Sequence, residues 1–305
     1  MTIRVTQGMT AADVLASIES IAARLAHTQN VLASGKQINS PSDSPYGTAR
    51  ALNLRAELAA TKQYETNVGE AQSWLNVTDT ALGNISSLVL RARDLVVQAG
   101  NSTLSASDRA DVAAELTQII DSIKTEANTQ YAGRYVFAGT QTTTPPYQLG
   151  ANDTYAGNSG AVEREIGPNV KLQVNVTGLA AIGGVDPSTG QPTGLLKTLR
   201  DIVADLNAGN MANLQGADLK ALDNAHDALL NQRAIVGARS NRLDGASSRL
   251  SQLEEVSMSL LSQTEDADMA KTLIDLSQEQ AVYQAALRAG AQLLQPSLMD
   301  FLATG

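Results

Sequence analysis

Residues 54–99 read LRAELAATKQYETNVGEAQSWLNVTDTALGNISSLVLRARDLVVQA. From Tyr64 onward, Val68, Ala71, Leu75, Thr78, Leu82, Ile85, Val89, Ala92, Val96 and Ala99 follow in an unbroken alternation of four and three. Each of these positions is apolar or threonine. Leu54 and Thr61 extend the register backwards, with Glu57 as its one polar break. A 3.5-residue period held this long predicts a helix that keeps one stripe on a partner helix. At 1.5 Å per residue the stretch is about 70 Å long, more than twice a typical helix. A rod of that length cannot cover its own stripe, so its partners must come from elsewhere.

A second register lies further along. Leu222, Ala225, Leu229, Val236, Leu243, Ala246, Leu250, Leu253 and Leu260 share one 4-3 spacing, with Gln232, Arg239 and Ser257 in the remaining positions. It predicts a second rod, roughly 60 Å long, running opposite to the first. Proline punctuates the rest. The eight prolines leave two gaps, between Pro45 and Pro145 and between Pro192 and Pro296. Helices avoid interior proline, so these blocks read as helical and the middle as turns and strands.

Residues 11–34 read as a first amphipathic helix on Val14, Ile18, Ile21, Leu25, Thr28 and Leu32, stopped by Gly35. The run from Asn39 to Pro45 supplies turn and capping side chains. Gly100 ends the first rod. Ser105 to Asp108 has the form of a capping box, with Asp in place of Glu or Gln. A shorter helix then carries Val112, Leu116, Ile119 and Ile123. Tyr135 to Thr140 is expected to be a strand with a glycine break. Val162, Arg164 and Ile166 alternate with Glu163 and Glu165, and Gly167-Pro168-Asn169 turns the chain. Lys171 to Thr177 is expected to point Leu172, Val174 and Val176 inward and Lys171, Gln173 and Asn175 outward. Leu195, Leu196, Leu199, Ile202, Val203 and Leu206 form a short helix ended by Gly209. The last segment carries Met269, Leu273, Leu276, Val282, Ala286, Ala289 and Leu293. The expected fold class is mainly α: long antiparallel coiled-coil-like rods, a small β-rich insert and amphipathic terminal helices.

Apolar residues make up 43% of the chain but aromatics only 3%, which suits close helix packing rather than a large pocket. A net charge of −9 disfavours nucleic acid, whose phosphates need a basic face. No apolar run is long enough for a transmembrane helix, so no membrane partner is expected. No apolar core of a cleavable signal peptide lies in the first ten residues. Cysteine is absent, which excludes disulfides, thiolate metal sites and cysteine nucleophiles.

No catalytic chemistry is legible. His27 and His226 each lack a second ligand and read as surface or packing residues, so neither metal nor cofactor is expected. Gly35-Lys36 has Asn30 and Gln37 where a phosphate loop needs glycine and Ser/Thr. Glu265-Asp266-Ala267-Asp268 lacks the central glycine and final glutamate of a calcium loop and reads as a solvated acidic turn or helix start. Asn76-Val77-Thr78 and Asn175-Val176-Thr177 match a glycosylation pattern short enough to recur by chance. The reading is a non-enzyme.

The terminal stripes carry the functional expectation. Burying five such side chains falls short of the backbone entropy of ordering a whole helix, and isolated helices are marginal in water. The ends are therefore expected to order when other helices surround them. The expected assembly interface sets Val14, Ile18, Ile21, Leu25 and Leu32 against Leu273, Val282, Ala286, Leu293 and Leu298, within one chain and between copies.

Several motifs resemble the flagellin superfamily. They are Ile38-Asn39-Ser40-Pro41-Ser42-Asp43-Ser44-Pro45, Gly133-Arg134-Tyr135-Val136-Phe137-Ala138-Gly139-Thr140 with Pro145-Pro146-Tyr147, Ala281-Val282-Tyr283-Gln284-Ala285-Ala286-Leu287, and Ser297-Leu298-Met299-Asp300-Phe301-Leu302. The proline-containing first motif is more similar to the hook–filament junction branch than to flagellins proper. The resemblance implies an exported structural protein of the bacterial flagellum, secreted unfolded by the flagellar type III route. It implies a ring of copies that binds the first hook-associated protein and flagellin, and an export chaperone. It also implies three regions: 1–45 with 268–305 as inner-tube helices, 46–134 with 195–267 as the helical rods, and 135–194 as an outward β-rich domain. A filament subunit is the nearest alternative. A soluble helical scaffold or sensor is a more distant one.

Overall fold

A computed structural model of the chain describes residues 7–100 and 104–294, with side chains at Met9 and from 12 to 292 except 101–103. The described residues fall into two units, a terminal one within 1–60 and 254–305 and a central one spanning 61–253. Both divisions fall inside helices. The long helices are α1 (Gln7–Ser34), α2 (Pro45–Ala99), α3 (Ala106–Ala127), α5 (Gly194–Ala208), α7 (Leu219–Glu265) and α8 (Met269–Leu294). Two short ones, α4 (Gly178–Ala181) and α6 (Met211–Asn213), and a π turn over Leu214–Asp218 complete the helical set. Among the described residues three antiparallel pairs make up the regular β structure: β1 (Gln130–Tyr131) with β2 (Arg134–Tyr135), β3 (Glu163–Gly167) with β4 (Val170–Gln173), and β5 (Gly184–Val185) with β6 (Pro192–Thr193).

The boundaries follow local chemistry. Gly35 takes a left-handed φ of 70° and returns its N–H to Val31 at 2.9 Å, ending α1. Ser44 Oγ accepts the Gly47 N–H at 3.1 Å and caps α2, with Pro45 at the first helical position. Ser105 and Asp108 form the reciprocal capping box at 3.2 and 3.0 Å. Gly209 closes α5 in the left-handed region at φ 75°.

In the central unit α2 runs antiparallel to α7, fixed by side-chain pairs along both. Ser251 donates to Glu65 at 3.4 Å, Arg233 to Asp79 at 3.1 Å and Arg93 to Asp223 at 2.8 Å, while Ser86 meets His226 at 2.8 Å. Another side of α2 receives α3, also antiparallel, through Arg91–Glu115 and Asn84–Glu126. α3 ends beside Asn84, and nearer Val68 that side meets the β region instead, where Tyr131 packs on Trp74 and Asn67 donates to the Glu165 carbonyl at 2.8 Å. Both stripe positions of α2 are dry from Val68 to Ala99. α7 differs. Every seventh residue is buried (Leu222, Leu229, Val236, Leu243, Leu250, Ser257), but Ala225, Gln232 and Arg239 are only half-buried and Leu253 is 42% exposed. The second stripe position is thus not a uniform seam. At Arg239 it serves the β region instead, donating to the Asn175 carbonyl at 2.8 Å.

Two expectations for the middle of the chain need correction. Tyr135 to Thr140 is not a strand beyond Tyr135. Val136, Phe137 and Ala138 are all fully buried in sequence, and Gly139 adopts φ 67° where a Cβ would lie 2.1 Å from the Asn158 carbonyl oxygen. The stretch is a tight buried turn, which period-2 burial cannot describe. Asn175 does not face outward but is fully buried. Its side chain accepts the Val162 N–H at 2.8 Å and donates to the Gly160 carbonyl at 2.9 Å, standing in for a ladder that β4 ends at Gln173. Leu172, Val174 and Val176 are buried as expected.

Aromatics and one ion cluster hold the loops. Tyr147 donates to Gly183 O at 2.5 Å and Tyr155 to Phe137 O at 2.8 Å. Burial raises both phenols, Tyr155 to about 12. Lys124, with no exposed surface, spends its three N–H donors on Asp153 at 2.5 Å and on the carbonyls of Gly150 and Asn152 at 2.7 and 2.9 Å. Arg200 adds a two-pronged bond to Asp153 at 2.9 and 3.1 Å. Burial pushes the Asp153 carboxyl up, but hydrogen bonds and charge from Arg200 and Lys124 outweigh it and hold the group below the usual range.

Lys124→Met should therefore cost about 3 kcal/mol at neutral pH, because it strands a carboxylate built for two cations. Denaturant titration followed by Trp74, the only tryptophan, measures it. The folded Asp153 pKa lies below its unfolded value. Its stabilisation is complete above the unfolded carboxylate range, about 4, and is lost as pH falls through the folded value. The deficit of the variant should shrink over that acid window.

Candidate assembly interface

In the terminal unit α1 and α8 pack antiparallel. Gly290 of α8 lies against α1 so closely that a Cβ there would sit 3.2 Å from both Ile18 and Val14. Small residues permit such an approach between helix backbones. Near the other end, His27, Thr28 and Val31 line one depression with Ala267, Asp268, Lys271 and Thr272. Asp268 caps α8 through the Ala270 and Lys271 N–H groups at 3.0 and 3.1 Å.

A short crossing ties the two helices to the head of α2. The Gln37 N–H donates to Glu265 O at 2.7 Å and the Ala267 N–H to Gly35 O at 3.0 Å. Glu265, whose side chain is 7% exposed, pairs with Lys36 at 2.8 Å and with Arg55. The expectation of a solvated acidic turn fails at this residue, since two cations distant in sequence neutralise and cover it. Asp43 accepts the N–H groups of Ser40 and Asn39 at 2.8 and 2.9 Å, and these bonds hold its carboxyl below the usual range. His27 lies exposed on α1 with Asp43 3.9 Å away.

The predicted interface residues divide. Val14, Ile18, Ile21, Leu25, Leu32 and Ala286 are half-buried. Leu273 is 54% exposed and Val282 42%. Leu293 belongs to α8, but its side chain and the whole of Leu298 lie outside the described residues. Sequence reading missed Val31, which is buried, and Leu15, Ile274 and Leu287, which are exposed at 59%, 65% and 44%. These three fall off the chosen register, so only the folded hairpin separates inner from outer face. Among the described residues no group of three metal-ligating side chains could hold an ion, and no helix is long and apolar enough to cross a membrane. Asn175 is too buried to accept a glycan.

What this arrangement can do is associate: a two-helix hairpin with a thin interior and apolar side chains on its outside. The chain belongs to the flagellin family. The family model of the bacterial flagellin N-terminal helical region matches residues 5–142, and that of the C-terminal helical region matches residues 219–302. It is a structural component of the bacterial flagellum. Flagellar hook-associated protein 3 of Escherichia coli is 24% identical over 275 residues, 85% of this chain and 86% of that protein. Bacillus subtilis flagellin is 27% identical over 278 residues, 86% of each. Among solved structures, a Vibrio parahaemolyticus chain assigned as a flagellar hook-associated protein superposes with a TM-score of 0.64 at 25% identity, covering 73% of this chain and all of that one. The hook-associated protein 3 of Legionella pneumophila shares the fold at a TM-score of 0.61 and 17% identity, covering 69% and 97%.

Gly290→Leu should push α1 off α8, an overpacking of about 1–3 kcal/mol. Hydrogen exchange should accelerate at the amides of 12–34 and 269–290 and stay unchanged over 61–253.

Proposed function

We propose that this chain is the adaptor between the flagellar hook and filament, a ring of copies that templates flagellin polymerisation. The observation that carries the reading is the α1–α8 hairpin, which mates along one face and leaves Leu15, Leu273, Ile274, Val282 and Leu287 outward. In this proposal the half-buried set Val14, Ile18, Ile21, Leu25, Leu32 and Ala286 joins α1 to α8. Leu273, Val282, Leu293 and Leu298 meet neighbouring copies. The first hook-associated protein lies on one side of the ring and flagellin on the other. The chain leaves the cell unfolded by the flagellar export route with a chaperone holding it. The inner-tube, rod and outer regions divide as 1–45 with 268–305, 46–134 with 195–267, and 135–194.

Deletion of the gene should leave hooks intact while flagellin is shed into the medium. Leu25→Asp and Leu273→Asp should reproduce that phenotype with Trp74 emission unchanged, since the tryptophan belongs to the central unit. Normal incorporation of both variants would overturn the interface. The second reading, a filament subunit, has less support and rests on the comparable identity to flagellin. Long filaments grown from the purified chain alone would establish it in place of the adaptor.

A further inference from the structure

The central unit holds a cavity of about 320 Å³ lined by Glu70, Ala71, Trp74, Tyr131, Ala132, Arg134, Arg164 and Val174. Its donors are underused. The Trp74 indole N–H is buried without an acceptor, although the residue is only 4% exposed. Arg134 is exposed at the rim and has no protein acceptor among the described residues. Arg164 reaches only Glu70, at 3.8 Å, beyond hydrogen-bond range. Tyr131 stacks edge-on against Trp74, with ring centroids 6.1 Å apart, and with Ala71 and Val174 gives an apolar wall. The hairpin tip that carries Tyr131 and Arg134 turns through two left-handed residues, Ala132 at φ 48° and Gly133 at φ 74°. An alanine in that region is an uncommon conformation, and it sets both side chains at the rim of one cavity.

Two guanidinium groups beside an apolar wall, above a buried indole N–H, suit a carboxylate on a short apolar stem. An unmet buried donor costs free energy until an acceptor arrives, and a guanidinium matches a carboxylate in shape and charge. We propose that this cavity receives an aspartate or glutamate side chain of a second copy of the chain. Charge complementarity favours this source: the chain carries 31 acidic and 22 basic residues, so a neighbouring copy presents carboxylates, while Arg134 and Arg164 outweigh Glu70 in the cavity lining. The volume is at the low end for a ligand site and fits one such side chain. The inference rests on the ring proposed above and names one contact within it.

The test places photoreactive p-benzoylphenylalanine at Ala132 of the full chain, expressed in flagellated cells in place of the native copy. Irradiated flagella should yield a covalent dimer of this chain, crosslinked to a peptide containing Asp or Glu. Adding Arg134→Glu and Arg164→Glu should cut the dimer about tenfold, equivalent to about 1.4 kcal/mol. An unchanged far-ultraviolet circular dichroism spectrum and melting temperature of the purified double variant show that the unit still folds. A crosslink to a different protein only, no dimer, or a dimer indifferent to the charge reversal would overturn the inference. Each of those results can arise with the chain still seated at the hook tip. Absence of the chain from the hook tip would instead sink the adaptor reading.

Discussion

A stripe repeating every 3.5 residues stays dry only where another surface runs alongside it. That constraint organises the central unit. α2 meets it on two sides at once: α7 lies antiparallel along one, and α3 followed by the β region covers the other, so both of its stripe positions are buried from Val68 to Ala99. α7 meets it with one position in seven. Of its other positions Ala246 is buried too, but Ala225, Gln232 and Arg239 are only half-buried, and Arg239 reaches across to the β region. Coiled-coil packing and globular packing therefore share a single helix.

Polar groups do what apolar area cannot in the irregular middle. Strands of two to five residues bury little by themselves. The loops between them are fixed by Asn175, Tyr147, Tyr155 and the Lys124–Asp153–Arg200 cluster, each bonded to backbone carbonyls or N–H groups. Full satisfaction is what makes the buried charges tolerable, because an unpaired ion in that interior is far more costly than a missing contact.

The terminal unit has a thinner interior. Among the described residues its buried apolar side chains are Val31, Ala51 and Leu54, joined by the polar Thr28, Ser257, Glu265 and Thr272. Hydrogen bonding and one shielded carboxylate stand where the central unit has a continuous apolar core. A helix pair closed in this way retains apolar side chains on its outside, and those suit association with further helices.

Much was legible in the sequence alone. The seven-residue spacing, the proline-free blocks, Gly35, Gly209 and the Ser105–Asp108 box determined which segments are helical and where they stop, because these are local energetic preferences of the backbone. Spacing also gave the inward set Leu172, Val174 and Val176. What spacing does not report is the identity of the covering surface. Asn175 lies inside because the strand ladder ends before it and its amide replaces the missing bonds. Glu265 lies inside because Lys36 and Arg55 arrive from far away in sequence. Leu273 and Ile274 stay outside because α1 covers the other side of α8. A period assigns side chains to a face, and only the tertiary arrangement decides whether that face meets protein or water.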